Sequence, residues 1–421
     1  MRIRRGSKQL IRDLNQALVV DLIRRHGPIS RIDLIESTQL GKTTINTILT
    51  GLEKDGLVVE AGNAEPTSVG RPSVLLRLNP EARFIVGVKL APTHITAALT
   101  NLHAEVVSRV ERDFAADAPA GRVIELIVRA IREVMRRREL SNDDVLGVGV
   151  VLPGLIDLRT GVALSSRFLH WQNLNVRAAL GERLELPVFI DNDANAFALA
   201  EHWYGAGRGV EDLVAVTVGI GIGAGVVTGG RLYRGAREGA GEIGHMVMDL
   251  DGPLCTCGKH GCLEAFAADA GIERTTRELL LRARGASRLS RSRPERITRE
   301  DVVRAGREGD GLARRALAEA GTVLGAALAN VVNLLNPARI VVGGEATEGA
   351  GDLLLDPARA SLREHAFSVL ADELEVVPAS LGADAWLMGA ATLVLEEVFK
   401  PPIFSDVVEH RPQLSLSSLV E

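Results

Sequence analysis

The three cysteines of this 421-residue chain stand together, as Cys255, Cys257 and Cys262, and His245 lies ten residues ahead of the first. Three thiolates and one imidazole make a complete tetrahedral donor set for zinc. No position is left for a reactive water, so the metal this pattern predicts is structural. Gly258 and Gly261 allow the tight turns that such a knot requires. The alternatives are three buried free thiols or an oxidation-sensitive cluster. Three cysteines cannot form a disulfide framework, and a reduced cytoplasm suits them.

A second chemical run is Asp191-Asn192-Asp193-Ala194-Asn195, set between an apolar strand pattern and a helical one. Short carboxylates and amides in that place fit a ligand with many hydroxyls. Helix capping competes with this reading, since Asp and Asn both cap well, but a cap uses one residue of the three.

A third surface is read from the N-terminal 80 residues. Leu18, Val19, Leu22 and Ile23 recur at helical spacing up to the stop Gly27-Pro28. Ser30 and Asp33 give a capping-box-like start to the next helix, and Gly41 breaks it. The helix after Gly41 puts Ile45, Ile48, Leu49 and Leu52 on one face and Lys42, Thr43, Thr44, Asn46 and Thr47 on the other. A helix with a small polar outer face fits the major groove, where hydroxyl, amide and ammonium groups reach base edges and phosphates. Two strand patterns then flank the loop NAEPTSVGRPS, and Arg71, between Gly70 and Pro72, is suited to a minor groove. Residues 1–80 thus predict a winged helix-turn-helix that binds double-stranded DNA. The alternative is an ordinary three-helix subdomain with a hairpin.

Charge agrees with this division. Residues 1–80 hold 12 basic and 8 acidic residues, and the remainder holds 37 basic and 46 acidic, for a total of −5. A basic head on an acidic body points to a polyanion partner for the head alone.

Beyond Phe84 strands and helices alternate, which predicts an α/β body in two lobes. Phe84–Leu90 and the two runs after it read as a meander. Helices are expected at 121–140 and 316–336, and a strand, a loop and a helix across 187–205. The charge-free stretch 213–230 has the length of a membrane span, but its glycines make it a strand, a turn and a second strand. With 46% hydrophobic residues the chain can bury a large core, and 3% aromatics argue against an aromatic-lined carbohydrate groove.

The motifs EIGHMVMDLDGPLCTCGKHGCLE (242–264), Asp191-Asn192-Asp193 and the Gly-rich hairpin resemble the ROK family of repressors, open reading frames and sugar kinases. The likeness runs over nearly the whole chain and includes the winged helix, which the family's repressor branch has and its kinases lack. It implies a sugar-kinase, actin-like (ribonuclease H-like) body. The expected divisions are 1–80 for the DNA-binding domain, 81–194 plus 381–400 for the first lobe, 195–380 for the second lobe with the zinc loop, and a poorly ordered tail at 401–421. In the resembling kinases the residue matching Asp193 is the catalytic base, and those matching Asn192, Glu242, His245 and Glu264 hydrogen-bond the sugar. His245 could bind zinc through one ring nitrogen and a hydroxyl through the other.

Two departures separate this chain from the kinases. Their G-x-D-x-G-G-T phosphate loop is here Gly87-Val88-Lys89-Leu90-Ala91-Pro92-Thr93. Lys89 cannot replace a carboxylate working through Mg²⁺. Ala91 and Pro92 do not allow the glycine turn, and Pro has no N–H to donate. Phe168 stands where the kinase pattern has a sugar-side Asn. The expectation is therefore no kinase activity and a sugar or sugar-phosphate effector bound between the lobes. The protein is expected to be a homodimer or homotetramer that represses carbohydrate uptake or catabolism genes. The alternatives are an active sugar kinase that also binds DNA, and a regulator controlled by a partner protein. The Arg-rich stretch 281–300 reads as a solvated loop in preference to a further contact surface.

Overall fold

The computed structural model describes residues 8–63, 73–282, 287–291 and 293–399. The tip of the expected wing with Arg71, part of the stretch 281–300, and the tail 401–421 lie outside the described residues.

The N-terminal elements are α1 (Lys8–His26), β1 (Ile29–Ser30), α2 (Arg31–Thr38), α3 (Lys42–Lys54), β2 (Val58–Asn63) and β3 (Val74–Leu78). Ser30 and Asp33 form a reciprocal capping box at α2, each side chain taking the other's backbone N–H. Gln39 ends α2 in the left-handed region, at φ 57°, and Gly41 precedes α3. Ile45, Leu49 and Leu52 are fully buried, and Ile48 nearly so. Each buried side chain of this kind stabilises the small core by about 1.5–3 kcal/mol. The three strands pair in the order β1-β3-β2. Three helices and a three-stranded sheet are the elements of a winged helix.

The next elements are β4 (Phe84–Leu90), β5 (His94–Thr100), β6 (Val106–Asp113), α4 (Ala120–Arg136) and β7 (Val145–Leu152). β8 (Leu155–Asp157), β9 (Val162–Ser166), β10 (Trp171–Asn175), α5 (Val176–Leu184) and β11 (Val188–Asn192) follow. The main sheet runs β11-β7-β4-β5-β6, and β10-β9-β8 form a small sheet of their own that the sequence reading lacks. Every residue of β7 is buried, as a strand covered on both faces requires.

The rest comprises α6 (Asp193–Tyr204), β12 (Leu213–Val218), β13 (Ile222–Thr228), β14 (Arg231–Tyr233), α7 (Leu263–Ala267), α8 (Asp269–Arg282) and α9 (Arg299–Arg307). After these come α10 (Gly311–Leu335), β15 (Arg339–Gly343), α11 (Glu345–Ala350), α12 (Asp352–His365), α13 (Ser368–Asp372), β16 (Glu375–Pro378) and α14 (Ala385–Val398). Their sheet runs β14-β13-β12-β15-β16. Both large sheets follow one plan. An antiparallel meander comes first, and its first strand then takes a parallel partner, β7 for β4 and β15 for β12. The stretch 213–230 is the hairpin β12–β13. α10 is long and apolar enough to cross a membrane by length and composition, but Leu317, Leu324 and Leu328 bury it in the core.

Several expected boundaries move. The helix expected at 121–140 ends at Arg136, and the one expected at 316–336 starts at Gly311, capped by the Asp310 carboxylate. The loop expected after the strand at 188 is absent, because Asn192 is both the last strand residue and the cap of α6. The chain divides into two compact units, one through Asp191 and from Ala390 onward, the other Asn192–Gly389. The sequence reading divides it at Ala194 and Leu381. A helix that begins at Asp193 travels whole with the second unit. The start of α14 stays with it too, because Gly389 lies so close on α6 that a methyl there would meet Ala196 O at 1.9 Å.

Candidate functional site

The expected ligand and metal residues, spread over seventy positions of sequence, all attach to the first residues of β13. From one side comes α6, whose start carries Asn192 and Asp193. A methyl on Gly225 would stand 2.3 Å from Ala198 Cβ and 2.8 Å from Ala194 O, so only glycine allows this approach. From another comes the turn that carries Glu242 and His245. Ala224 N donates to Gly241 O (3.0 Å), and Gly244 lies against Ile222 O, where a methyl would come within 2.1 Å. From a third comes α7, whose Glu264 accepts the Ile222 N–H through Oε2 (3.2 Å). Asn192, Asp193, Glu242, His245 and Glu264 therefore all lie in the second unit.

These five are not equivalent. Asn192 Oδ1 accepts from Ala194 N (2.8 Å) and Asn195 N (3.2 Å). Capping uses its carbonyl oxygen, so any ligand contact by Asn192 falls to the amide nitrogen. Asp193 Oδ1 takes the Ala194 N–H (3.0 Å). Glu264 is buried and committed to the protein, since its Oε1 accepts from Thr256 Oγ1 (2.8 Å) and lies 3.7 Å from Cys255 Sγ. Two or three of its acceptor sites are thus filled by the fold. Glu242 keeps half its side chain exposed, yet the protein mass around it pushes its carboxyl up; nearby His245 opposes this shift, and Glu264 adds to it.

The side chains of His245, Cys255, Cys257 and Cys262 bring their donor atoms within 4.8 Å of one another. Cys257 Sγ and Cys262 Sγ are 3.6 Å apart, and Cys255 Sγ lies 3.8 Å from His245 Nδ1. Tetrahedral zinc with bonds of about 2.3 Å to sulfur sets its ligands roughly 3.8 Å apart, so the donor set fits a metal. Burial, then the neighbouring sulfurs, push the Cys262 thiol up to about 12. Burial raises Cys255 as well. Thiols so placed keep their protons unless a metal ion takes the protons' place. Two short bridges, Val247 to Cys262 and Leu254 to His260, hold the loop, and Gly258 and Gly261 adopt positive φ (82° and 71°). His245 turns Nδ1 to the sulfurs and Nε2 toward Glu242 Oε2 (3.8 Å). One imidazole thus faces both the thiol cluster and the Glu242 carboxylate.

On α3, Lys42, Thr43, Thr44 and Thr47 are exposed. Asn46 is half-buried, and its Oδ1 accepts from Arg31 Nη1 (3.4 Å). Arg31 also pairs with Glu53 (2.6 Å), which ties the two helices together. In the first unit the stretch after Lys89 is a closed turn, with Ala91 N donating to His94 O (2.9 Å). With Pro92 beside it, that turn offers no N–H from either residue to a phosphate.

Sequence reasoning missed Thr256, Asp269, Arg299 and Glu345. Thr256 had a visible signal, lying between two proposed ligands. Glu345 follows Gly343-Gly344 and could have been noted there. Asp269 and Arg299 meet (3.2 Å) from thirty residues apart, and no local pattern announces that.

Residues 85–397 match the ROK family. A xylose repressor of Caldicellulosiruptor bescii is 30% identical over 95% of this chain and 100% of its own length. The DNA-binding transcriptional dual regulator NagC of Escherichia coli is 30% identical over 96% of this chain and 98% of its own. The crystal structure of a ROK family transcriptional regulator, a homologue of the Escherichia coli MLC protein, superposes with a TM-score of 0.81, 30% identity and coverage of 94% and 98%. A ROK family glucokinase from Streptomyces griseus, solved with glucose and AMPPNP, gives 0.67 at 30% identity and covers 74% of this chain and 98% of its own. The regulators cover 94–96% of this chain and the kinase 74%; with the family match over residues 85–397, this chain belongs to the ROK family.

Proposed function

We propose that this chain is a sugar-responsive, DNA-binding transcription regulator of the cytoplasm, a repressor of carbohydrate uptake or catabolism genes. The observation that carries this reading is the pairing, in one chain, of a winged helix with the sugar-kinase body, matched along nearly all its length by relatives named as repressors. Lys42, Thr43, Thr44, Asn46, Thr47 and Arg71 are the DNA-contacting residues. The chain works as a homodimer or homotetramer, so two recognition helices read a near-palindromic operator.

The effector is a monosaccharide held by Asn192, Asp193, Glu242, His245 and Glu264. Zinc bound by His245, Cys255, Cys257 and Cys262 supplies no reactive water; with four protein ligands its work is structural. It orients His245 for a ligand hydroxyl and anchors the loop that holds Glu264. No phosphoryl transfer follows binding, since Lys89, Ala91 and Pro92 remove the carboxylate and glycine turn that the chemistry needs. The sugar shifts DNA affinity only by its differential affinity for the DNA-binding and DNA-free states, typically about 1–3 kcal/mol.

Footprinting on the DNA upstream of neighbouring sugar-transport genes, with and without monosaccharides, tests the reading. A protected near-palindrome whose occupancy changes with one sugar is expected. Sugar-dependent ATP turnover that vanishes in Asp193→Asn would instead establish a kinase.

A further inference from the structure

One turn beyond the sugar residues lies Gly219–Gly221, which joins β12 to β13. The ground around this turn is negative. Glu345 points at it, so that a methyl on Gly219 would come within 2.5 Å of Glu345 Oε2. Asp269 is fixed there by its own N–H, which donates to Gly219 O (2.9 Å). One cation among these groups is Arg299, and its contacts are divided. Nε faces Asp269 (3.2 Å), Nη1 donates to Glu345 O (2.6 Å), and Nη2 pairs with Glu300 (2.7 Å). Its backbone N–H goes to Glu273 (3.2 Å). Asp269 and Glu300 face this guanidinium and Glu273 pairs with Arg277 (2.9 Å), so four carboxylates, Glu345 included, stand against two arginines. Burial, together with these neighbouring carboxylates, pushes Asp269 up to about 6 against the pull of Arg299. The turn's apex is Ile220, exposed and apolar, so it offers no side-chain donor.

We infer that the pocket takes an uncharged sugar and refuses phosphate esters and nucleotides, with Glu345 and Asp269 as the discriminating residues. A phosphate monoester carries about −1.5 to −2 at neutral pH. Near this turn it meets carboxylates, an apolar tip and arginines already engaged with carboxylates. A neutral sugar needs only the hydroxyl partners at the start of β13. This inference rests on the sugar reading above and narrows it to one ligand class.

Calorimetry on the full chain tests it with D-xylose, D-glucose and N-acetyl-D-glucosamine, with xylose 5-phosphate and the 6-phosphates of the two hexoses, and with ADP. At least one neutral sugar should bind, its phosphate ester about tenfold or more weakly, and ADP no better than the ester. In Glu345→Gln, and independently in Asp269→Asn, the ratio of neutral to phosphorylated affinity should shrink by about tenfold, with folding checked by melting curves. An ester that binds as tightly as its sugar would overturn the inference and leave the sugar reading standing. So would a ratio unchanged in both folded variants. Silence toward every carbohydrate would remove the sugar reading and this inference with it.

Discussion

Replacing Glu264 tests its part in the fold. Its carboxylate joins three pieces: the metal loop through Thr256, the hub strand through Ile222 N–H, and α7, on which it sits. In Glu264→Ala the Ile222 N–H stays buried without its acceptor, at about 1–3 kcal/mol. The lost Cγ methylene adds about 0.8 kcal/mol. Thr256 is exposed, and its hydroxyl turns to water at little expense. The sum is about 2–4 kcal/mol. Glu264→Gln behaves differently, because its amide oxygen can face Ile222 N–H while its NH₂ faces a Thr256 hydroxyl turned to accept. Only the charge-assisted part of each bond is lost, about 1 kcal/mol. Urea unfolding of the metal-loaded protein, followed with metal content by mass spectrometry, reads both variants. Glu264→Ala should lose most of this stability and part of its metal, while Glu264→Gln keeps its metal. If Glu264→Ala unfolds within about 0.5 kcal/mol of wild type, the bridging argument is wrong.

Other expectations follow from the same geometry. Cys257→Ser should abolish stoichiometric metal binding and open 245–262 to limited proteolysis, an effect that chelation of the wild-type protein should reproduce; retained metal would count against the four-ligand set. Gly225→Ala should destabilise by about 1–3 kcal/mol or more, since its methyl would sit 2.3 Å from Ala198 Cβ, and a melting temperature within a degree of wild type would contradict that packing. Asp269 is raised to about 6 from an ordinary 3.8, so its protonated form is favoured by folding. Its contribution to stability is complete below about pH 4 and lost as pH climbs through 6, a swing of order 3 kcal/mol. Unfolding curves from pH 4.5 to 7.5 should show this pH slope flattened in Asp269→Asn, and an identical slope in both proteins would refute it.

The elements that carry the site were legible where the sequence pattern is local. Ser30 with Asp33 and the apolar face of α3 follow from helical spacing and capping chemistry, which a short window contains. The His/Cys cluster was legible because its donors lie within eighteen residues, with glycines at the two positive-φ positions. Glycine's second use was not legible. Nothing in the sequence tells a turn glycine from Gly225 or Gly244, whose missing side chains let another segment reach β13.

Local chemistry thus determined the donor types, the helix starts and the exposed polar face of α3. Tertiary structure decided their partners. It made Asn192 the cap of α6, which occupies its carbonyl oxygen, and it drew Glu264 inward to hold Ile222 and Thr256. It also gave Arg299, which the sequence places in a solvated basic stretch, the Asp269 and Glu300 carboxylates as partners. Hydrogen bonds and charges depend on distances of a few ångströms in space, and residues tens of positions apart acquire such distances only when the sheets assemble.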